Sequence, residues 1–226
     1  MDKVLNFLKQ LKYNNNRDWF EANKTMYREV TEQFNSFVEK LIVEVGQFDS
    51  SIKGLEVKDC TYRIYRDVRF SPNKEPYKTH IGAYVCRGGK KSPYAGYYFH
   101  IEPQGNGFIG GHLLSSGFYL PEPKVLKSIR DEIVENGNKL TSLIQKAKGF
   151  NLSQGSKLKR VPLGYSQDNE FAEYLKLKDI YLEQFVDDDF ILNPNLLENV
   201  VNEFRKTYDF LKFLNDAAEF AYDADN

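Results

Sequence analysis

The chain has 226 residues, of which 41% are hydrophobic and 28% charged, a composition typical of a globular protein. Its 31 basic and 32 acidic residues give a net charge of -1, so no overall field attracts nucleic acid or an anionic membrane. The first residues lack the continuous apolar run of a secretion signal, and no run approaches the length of a membrane-spanning helix. We therefore expect a cytoplasmic protein that folds as one domain over residues 1–226, with no membrane partner.

The two cysteines, Cys60 and Cys86, are too few for a disulfide framework in a chain of this size. Neither lies in a CxxC or CxxH pattern of the kind that binds metal. We expect both to be reduced thiols.

Helical spacing dominates the amino-terminal part of the chain. Apolar residues recur at this spacing in a first short segment, at Val4, Leu5, Leu8 and Leu11. A longer stripe follows at Tyr27, Val30, Phe34, Phe37, Leu41 and Val45. Asn16 offers a side-chain oxygen as the N-cap of this second helix, and Gly46 is suited to end it. The pattern predicts two helices, the second running from Asn16 to Gly46.

The pattern changes to period two between Thr61 and about Leu114, which indicates β-strands. Three runs show the alternation, at Tyr62, Ile64, Val68 and Phe70, at Ile81, Ala83 and Val85, and at Tyr97, Phe99 and Ile101. Glycine-rich joints separate the runs, so we predict an antiparallel meander. One joint, GNGFIG at 105–110, matches the dinucleotide-binding pattern GxGxxG, but the residues after it are unsuited to the helix that this motif requires. A hairpin turn explains these glycines better.

Helical spacing returns in the carboxy-terminal half. Residues 121–137 have the pattern of a helix that prolines open and Asn136 and Gly137 close, and a further helix follows. A short helix, a strand over 179–187 and a final helix, with Asn193 as cap and Pro194 at its first position, complete the chain. The predicted fold class is α+β, with an antiparallel meander sheet in the middle of the chain packed by amino-terminal and carboxy-terminal helices.

The stretch RIYRDVRFSPNKEPYKTH, residues 63–80, concentrates positive charge. Its cations are Arg63, Arg66, Arg69, Lys74 and Lys78. Strand alternation places Arg66 among apolar neighbours, where an unpaired guanidinium would cost several kcal/mol, roughly the penalty for a buried charge. Asp67 and Glu75 are the acidic residues nearby, so the cations outnumber them. Arginine forks and lysine point charges together are the usual equipment for binding phosphate or carboxylate groups.

We therefore predict that this stretch forms one wall of a pocket for a small phosphate- or carboxylate-bearing ligand. The residues expected to bind it are Arg63, Arg66, Asp67, Arg69, Lys74, Tyr77, Lys78, His80, His100 and Arg160, with Lys159 beside the last. If the protein is an enzyme, which the sequence does not decide, His80 or His100 is the expected proton carrier.

Two alternatives stay open. The first is an interaction or scaffold protein with no small ligand, in which every cation of the stretch is paired with a carboxylate. The second is a weak binder of single-stranded nucleic acid, favoured by aromatic residues that lie among basic ones. Nucleic acid ranks low because the sequence pI is about 6.3 and many aromatic residues have core spacing.

The three histidines, His80, His100 and His112, lie at strands or strand edges of the predicted meander. His100 and Glu102 alternate with apolar residues, so we expect both on the solvent-facing side of the sheet, near His80. Two histidines and a carboxylate are a donor set for zinc or iron, but solvent-facing histidines are common and the linear spacing requires no metal. The sequence therefore predicts no metal site and leaves the cofactor unknown. The run 187–189 of three aspartates is typical of a solvated turn.

Four blocks in this order resemble the conserved hypothetical proteins grouped as domain of unknown function 2461: NNNRDWFEANKTMY, RIYRDVRFSPNKEPYKT, GGHLL…LKSIRDEI and LKRVPLGY. The most specific part comprises Arg66, Asp67, Arg69, Phe70, Pro76, Tyr77, Lys78 and Thr79. The resemblance covers most of the chain and implies a globular intracellular protein, with no established activity, substrate or cofactor. It also implies that histidine is not fixed at the position of His80, which weakens the metal hypothesis.

Overall fold

A five-stranded antiparallel sheet crosses the protein, for which a computed structural model describes residues 1–105 and 107–223. Its strands are β1 (Ile81–Cys86), β2 (Gly96–Ile101), β3 (His112–Phe118), β4 (Asn151–Leu152) and β5 (Ile180–Val186). Their order across the sheet is β1-β2-β3-β5-β4, and all of these neighbours pair antiparallel. The α+β class and the central meander predicted from the sequence are confirmed.

Helices precede, interrupt and follow the strands. They are α1 (Asp2–Tyr13), α2 (Arg17–Ala22), α3 (Lys24–Val45), α4 (Val57–Cys60), α5 (Pro123–Lys146), α6 (Ala172–Leu175), α7 (Asp188–Leu192), α8 (Leu196–Lys206) and α9 (Tyr208–Asp223). The Asn16 side chain accepts a hydrogen bond from the Trp19 amide, which confirms the predicted N-cap. The helix that follows is not continuous to Gly46, because the backbone at Asn23 (φ -107°, ψ 16°) separates α2 from α3.

The break predicted at Asn136 and Gly137 is present as a kink, because the backbone of Asn136 is non-helical (φ -127°, ψ 27°), and helical structure then continues to Lys146 as the predicted further helix. The boundaries of the final helix differ from the prediction. The final predicted helix is divided at Thr207, whose buried hydroxyl donates to the carbonyl of Phe204. Its cap is Asn195 instead of Asn193. A short helix, α7, replaces the turn that the aspartate run predicted.

Residues 62–70 do not form the predicted strand. Within the described ranges, only isolated bridges at Thr61 and Tyr65 have strand-like pairing there. The segment instead folds back on itself, with the Lys78 amide bonded to the Ile64 carbonyl. Pro76 has no amide hydrogen, so a regular ladder does not propagate, and Phe70 is left 95% exposed.

The hydrophobic core lies on one face of the sheet. Phe34 and Phe37 of α3 pack on Phe99 of β2, with ring centroids 6.3 and 5.0 Å apart. Phe204 of α8 packs on Tyr97 of the same strand at 5.2 Å. Helices from both ends of the chain therefore bury their apolar stripes on one surface, and each fully buried large side chain contributes about 1.5–3 kcal/mol. None of the described helices combines the length and apolarity that crossing a membrane takes.

Candidate functional site

A cluster of polar side chains lies on the other face of β1 and β2. The strand register pairs Gly82 with His100, and one further step places His80 opposite Glu102, so that their side chains share a face. The rings of His80 and His100 have centroids 4.8 Å apart. Gly82 leaves room for the hydroxyl of Tyr98, because a Cβ there would lie 2.7 Å from that oxygen. The sheet itself therefore brings two histidines and a carboxylate together.

The Glu102 carboxylate is buried and surrounded by donors. Its Oε2 accepts hydrogen bonds from the amides of Ile109 (2.7 Å) and Gly110 (2.9 Å) and lies 3.2 Å from His100 Nε2, while Oε1 accepts from the amide of Phe108. Burial alone raises the pKa of Glu102, but the hydrogen bonds from His100 and the three amides outweigh it and lower the pKa to about 2. The carboxylate is therefore ionised at neutral pH and holds the β2–β3 loop in place.

His100 and Glu102 are buried, so the prediction that they face solvent is wrong. The loop between β2 and β3 folds over them, with the Phe108 ring 4.9 Å from His80 and 6.4 Å from His100. The predicted hairpin at GNGFIG is confirmed, because β2 and β3 are consecutive and antiparallel, although Asn106 lies outside the described residues. The alternation of polar and apolar residues therefore predicted that His100 and Glu102 share a face of the sheet, but not that this face is buried.

The two remaining histidines differ in their partners. His80 Nδ1 is buried and has no hydrogen-bond partner within the described part of the chain. Burial, followed by the neighbouring His100, lowers the pKa of His80 to about 3, so the ring is neutral at pH 7. His112 is held by other groups, since its Nδ1 accepts from the Glu102 amide at 3.1 Å and its Nε2 lies 3.0 Å from Asp188.

A pocket of about 280 Å³ lies where α3 faces the segment after α4. It is lined by Tyr27, Thr31, Phe34, Asn35, Lys58, Thr61, Tyr62, Arg63, Ile64, His80 and Ile81. Two of these residues, Lys58 and Arg63, are cations, and none is a carboxylate. We call it the Arg63 pocket. Sequence reasoning missed its α3 wall, because Thr31 and Asn35 lie on a face that resembles any solvated helix surface.

Two of the predicted cations are neutralised by local carboxylates. Arg69 donates two hydrogen bonds to Asp67, at 3.0 and 2.6 Å. Arg66 donates to the Glu75 carbonyl at 3.2 Å and lies 3.8 Å from its carboxylate. These pairs lie within the folded-back segment, and neither arginine is among the residues that line the Arg63 pocket.

The other three cations of the stretch have no carboxylate partner among the described residues. Lys74 donates to the backbone carbonyl of Val68 at 3.1 Å. The side chains of Arg63 and Lys78 have neither a hydrogen bond nor an ion pair within the ranges described. Burial, followed by the charge of Arg63, lowers the pKa of Lys78, whose Nζ lies 5.7 Å from the centroid of the Tyr62 ring. The complete ion pairing expected of the scaffold alternative therefore does not occur in this part of the chain.

Tyr77 and Arg160 lie apart from this charge. The Tyr77 ring is buried and stacks on Phe20 with centroids 3.9 Å apart, so its place is in the core. Arg160 and Lys159 lie in the loop after β4, which is held by a hydrogen bond from the Leu158 amide to the Lys176 carbonyl and by one from the Tyr165 hydroxyl to Asp131. Neither residue lines the Arg63 pocket. Arg160 therefore stays out of the proposed ligand set.

Comparison with known proteins identifies a family. The family model that matches is described as conserved hypothetical protein (DUF2461), and it covers residues 3–213. The chain therefore belongs to this family, as the resemblance of its sequence blocks indicated. No curated protein and no solved structure matches the chain significantly.

Proposed function

We propose that this member of the DUF2461 family binds a small phosphate- or carboxylate-bearing molecule in the Arg63 pocket. The observation that supports the proposal most is the pair of cations without acidic partners, Arg63 at the pocket wall and the half-buried Lys78 beside it. Lys78 has lost part of its hydration without gaining an acidic partner, which is unfavourable, and a bound anion offsets that cost. Arg63 is exposed, so its contribution is the charge that it presents at the pocket wall.

The surrounding groups suit such a ligand. Arg63 offers a planar fork for two oxygens of a phosphate or carboxylate, whereas Lys78 contributes a point charge. Lys58 lies 2.7 Å from the Glu56 carboxylate, but this exposed pair is weak and leaves the ammonium available. The Tyr62 ring, 43% exposed, adds an apolar surface for the body of the ligand. The volume of about 280 Å³ is close to the lower limit of small-molecule sites, about 300 Å³.

Only part of the predicted ligand set belongs in the proposal. Arg63, Lys78 and His80 stay in it because they border or adjoin the pocket. Arg66, Asp67, Arg69 and Lys74 shape the segment that carries them. A small anion, in preference to nucleic acid, remains part of the proposal because the net charge is -1. A cytoplasmic location also remains part of it, since both cysteines are free thiols.

Calorimetric titration of matched variants tests the proposal. The probes are inorganic phosphate, succinate, glucose 6-phosphate and adenosine monophosphate, in buffer that contains a chelator. We expect at least one probe to bind the natural protein, and the double change Arg63→Gln with Lys78→Gln to weaken that binding at least tenfold. Arg160→Gln removes an exposed cation that does not line the pocket and serves as the control.

Two results would overturn the proposal. One is that no probe binds, and the other is that Arg160→Gln weakens binding as much as the double variant does. A single-stranded oligonucleotide is titrated in parallel. If it binds tightly at low salt and its affinity falls steeply with added salt, the nucleic-acid alternative is favoured instead.

A further inference from the structure

We propose that His80, His100 and Glu102 form a binding site for one divalent transition-metal ion of the zinc or iron(II) type. One ligand atom from each of the three side chains lies within 4.8 Å of the other two. Two imidazoles and one carboxylate are a donor set that both ions accept. The sequence predicted no metal because it placed these groups in solvent, whereas the structure buries His100 and Glu102.

The distances are close to those of a metal centre. Donor atoms about 2.1 Å from a common ion lie about 3.4 Å from one another in tetrahedral geometry. His100 Nε2 and Glu102 Oε2 are already 3.2 Å apart. The nitrogen of His80 therefore has to approach by about 1.4 Å at most to complete the set.

A change of tautomer frees the required lone pair of His100. The Tyr98 hydroxyl lies 2.8 Å from His100 Nδ1 and is able to accept a proton from it as well as to donate one. With the proton on Nδ1, the Nε2 lone pair faces the Glu102 carboxylate and the ion takes the place of the proton between them. Tyr98 and the amides of Ile109 and Gly110 then hold the two ligands in orientation, as outer partners do in metal sites.

His80 supplies an independent observation. Its Nδ1 is a buried polar atom without a hydrogen bond in the described part of the chain, and such atoms in proteins nearly always have a partner. A metal ion at the cluster would provide that partner.

The site has the ligand count of a reactive metal centre. Three protein ligands leave at least one coordination position open, whereas structural zinc sites are closed by four. One carboxylate against a dication leaves a net positive charge, and His80 also borders the Arg63 pocket. The inference nevertheless stands apart from the anion proposal, since the cluster needs neither Arg63 nor Lys78. It concerns this chain and not the family as a whole.

Metal titration without any anionic ligand tests the inference. Untagged protein is stripped with a chelator, exchanged into inert buffer and titrated with Zn²⁺ by calorimetry and with Co²⁺ by visible absorption. We expect one ion per chain and the d–d bands of protein-bound cobalt. His80→Gln and His100→Gln should each lower the Zn²⁺ affinity at least about 100-fold, since even outer partners account for about 10–100-fold.

Arg160→Gln is the control, because it changes a charged residue that is not part of the cluster. Circular dichroism confirms that each variant is folded. The inference is overturned if the natural protein binds no ion stoichiometrically, or if folded His80→Gln binds Zn²⁺ as the natural protein does. Loss of binding in Arg160→Gln would also overturn it, because that residue supplies no ligand atom to the cluster. Anion binding is measured in the presence of a chelator and therefore without metal. Failure of the metal inference is thus distinguishable from failure of the anion proposal.

Discussion

At the scale of single residues, Glu102 shows how a buried charge is retained. Its carboxylate is 1% exposed, yet three backbone amides and His100 surround it. Hydrogen bonds of this charge-assisted kind are roughly twice as strong as neutral ones. Glu102 thereby fixes the loop that covers the two histidines, and the burial of the whole cluster depends on it.

Glu102 should make the protein sensitive to acid. Its folded-state pKa of about 2 lies below the ordinary value of 4.5, so its contribution to the free energy of unfolding is full above about pH 4.5 and is lost as pH falls towards 2. That difference corresponds to a contribution on the order of 3 kcal/mol. We expect Glu102→Gln to destabilise the protein at pH 7 and to flatten this acid-side slope in urea unfolding. Glu170→Gln, an exposed control, should leave the slope unchanged, and parallel slopes for Glu102→Gln would contradict the account.

Local residue patterns predicted part of the candidate site. Strand alternation placed His100 near His80, which the structure confirms, and the concentration of charge at 63–80 singled out Arg63 and Lys78, whose role in binding remains a proposal. The burial of His100 was not predictable from the sequence, because a polar residue has the same spacing whether solvent or a folded loop covers it. The position of Arg160 depends on how the loop after β4 packs on other elements, which no local pattern records.

At the scale of elements, boundaries were predictable where local chemistry sets them. The N-cap at Asn16 was visible because the capping oxygen and the amide that it accepts from are three residues apart. The strand predicted at 62–70 does not form, because the period-two alternation takes no account of the prolines that interrupt its pairing. In α5, the helix-end signal at Asn136 and Gly137 corresponds to the kink, where the backbone of Asn136 is non-helical.

Substitution of Gly137 in α5 tests whether tertiary packing or helix propensity has the larger effect on the free energy of unfolding. Propensity alone predicts that Gly137→Ala stabilises a helix by about 1 kcal/mol. In the structure a Cβ at this position would lie 2.3 Å from Cδ2 of the Phe171 ring, and the two cannot coexist without movement. We therefore expect a lower free energy of urea unfolding, by about 1–3 kcal/mol. Asn138→Ala, at the next, exposed position, is the control and should be neutral or slightly stabilising. A stabilised Gly137→Ala would refute the packing argument.

At the scale of the whole molecule, the separation of helical and strand patterns along the chain was sufficient to predict the fold class. Apolar stripes in the terminal helices require a shared surface, and the core face of β2 provides it through Phe99 and Tyr97. The insertion of β5 between β3 and β4 was not predictable, because it joins segments far apart in sequence. The two residues of β4 are also too short to show a period.

The cysteines should report on global unfolding. Cys60 and Cys86 are free and buried, and burial raises their pKa values to about 12 and 11. Thiolate is the reactive form, so a chromogenic disulfide reagent should modify neither cysteine in the native protein at pH 8 and both in guanidinium chloride. The measurement is the absorbance of the released chromophore. Rapid labelling of a native thiol would show that the core around β1 opens locally.

The central claim is that the Arg63 pocket binds an anion, and a crystal soaked with tungstate tests it most directly. Tungstate is a tetrahedral oxyanion like phosphate, and its heavy atom is located by anomalous scattering. The account predicts a peak in the pocket within about 4 Å of the Arg63 guanidinium and the Lys78 ammonium, the range of an ion pair. Peaks confined to other surfaces, such as the loop that carries Arg160, with the pocket empty, would contradict it.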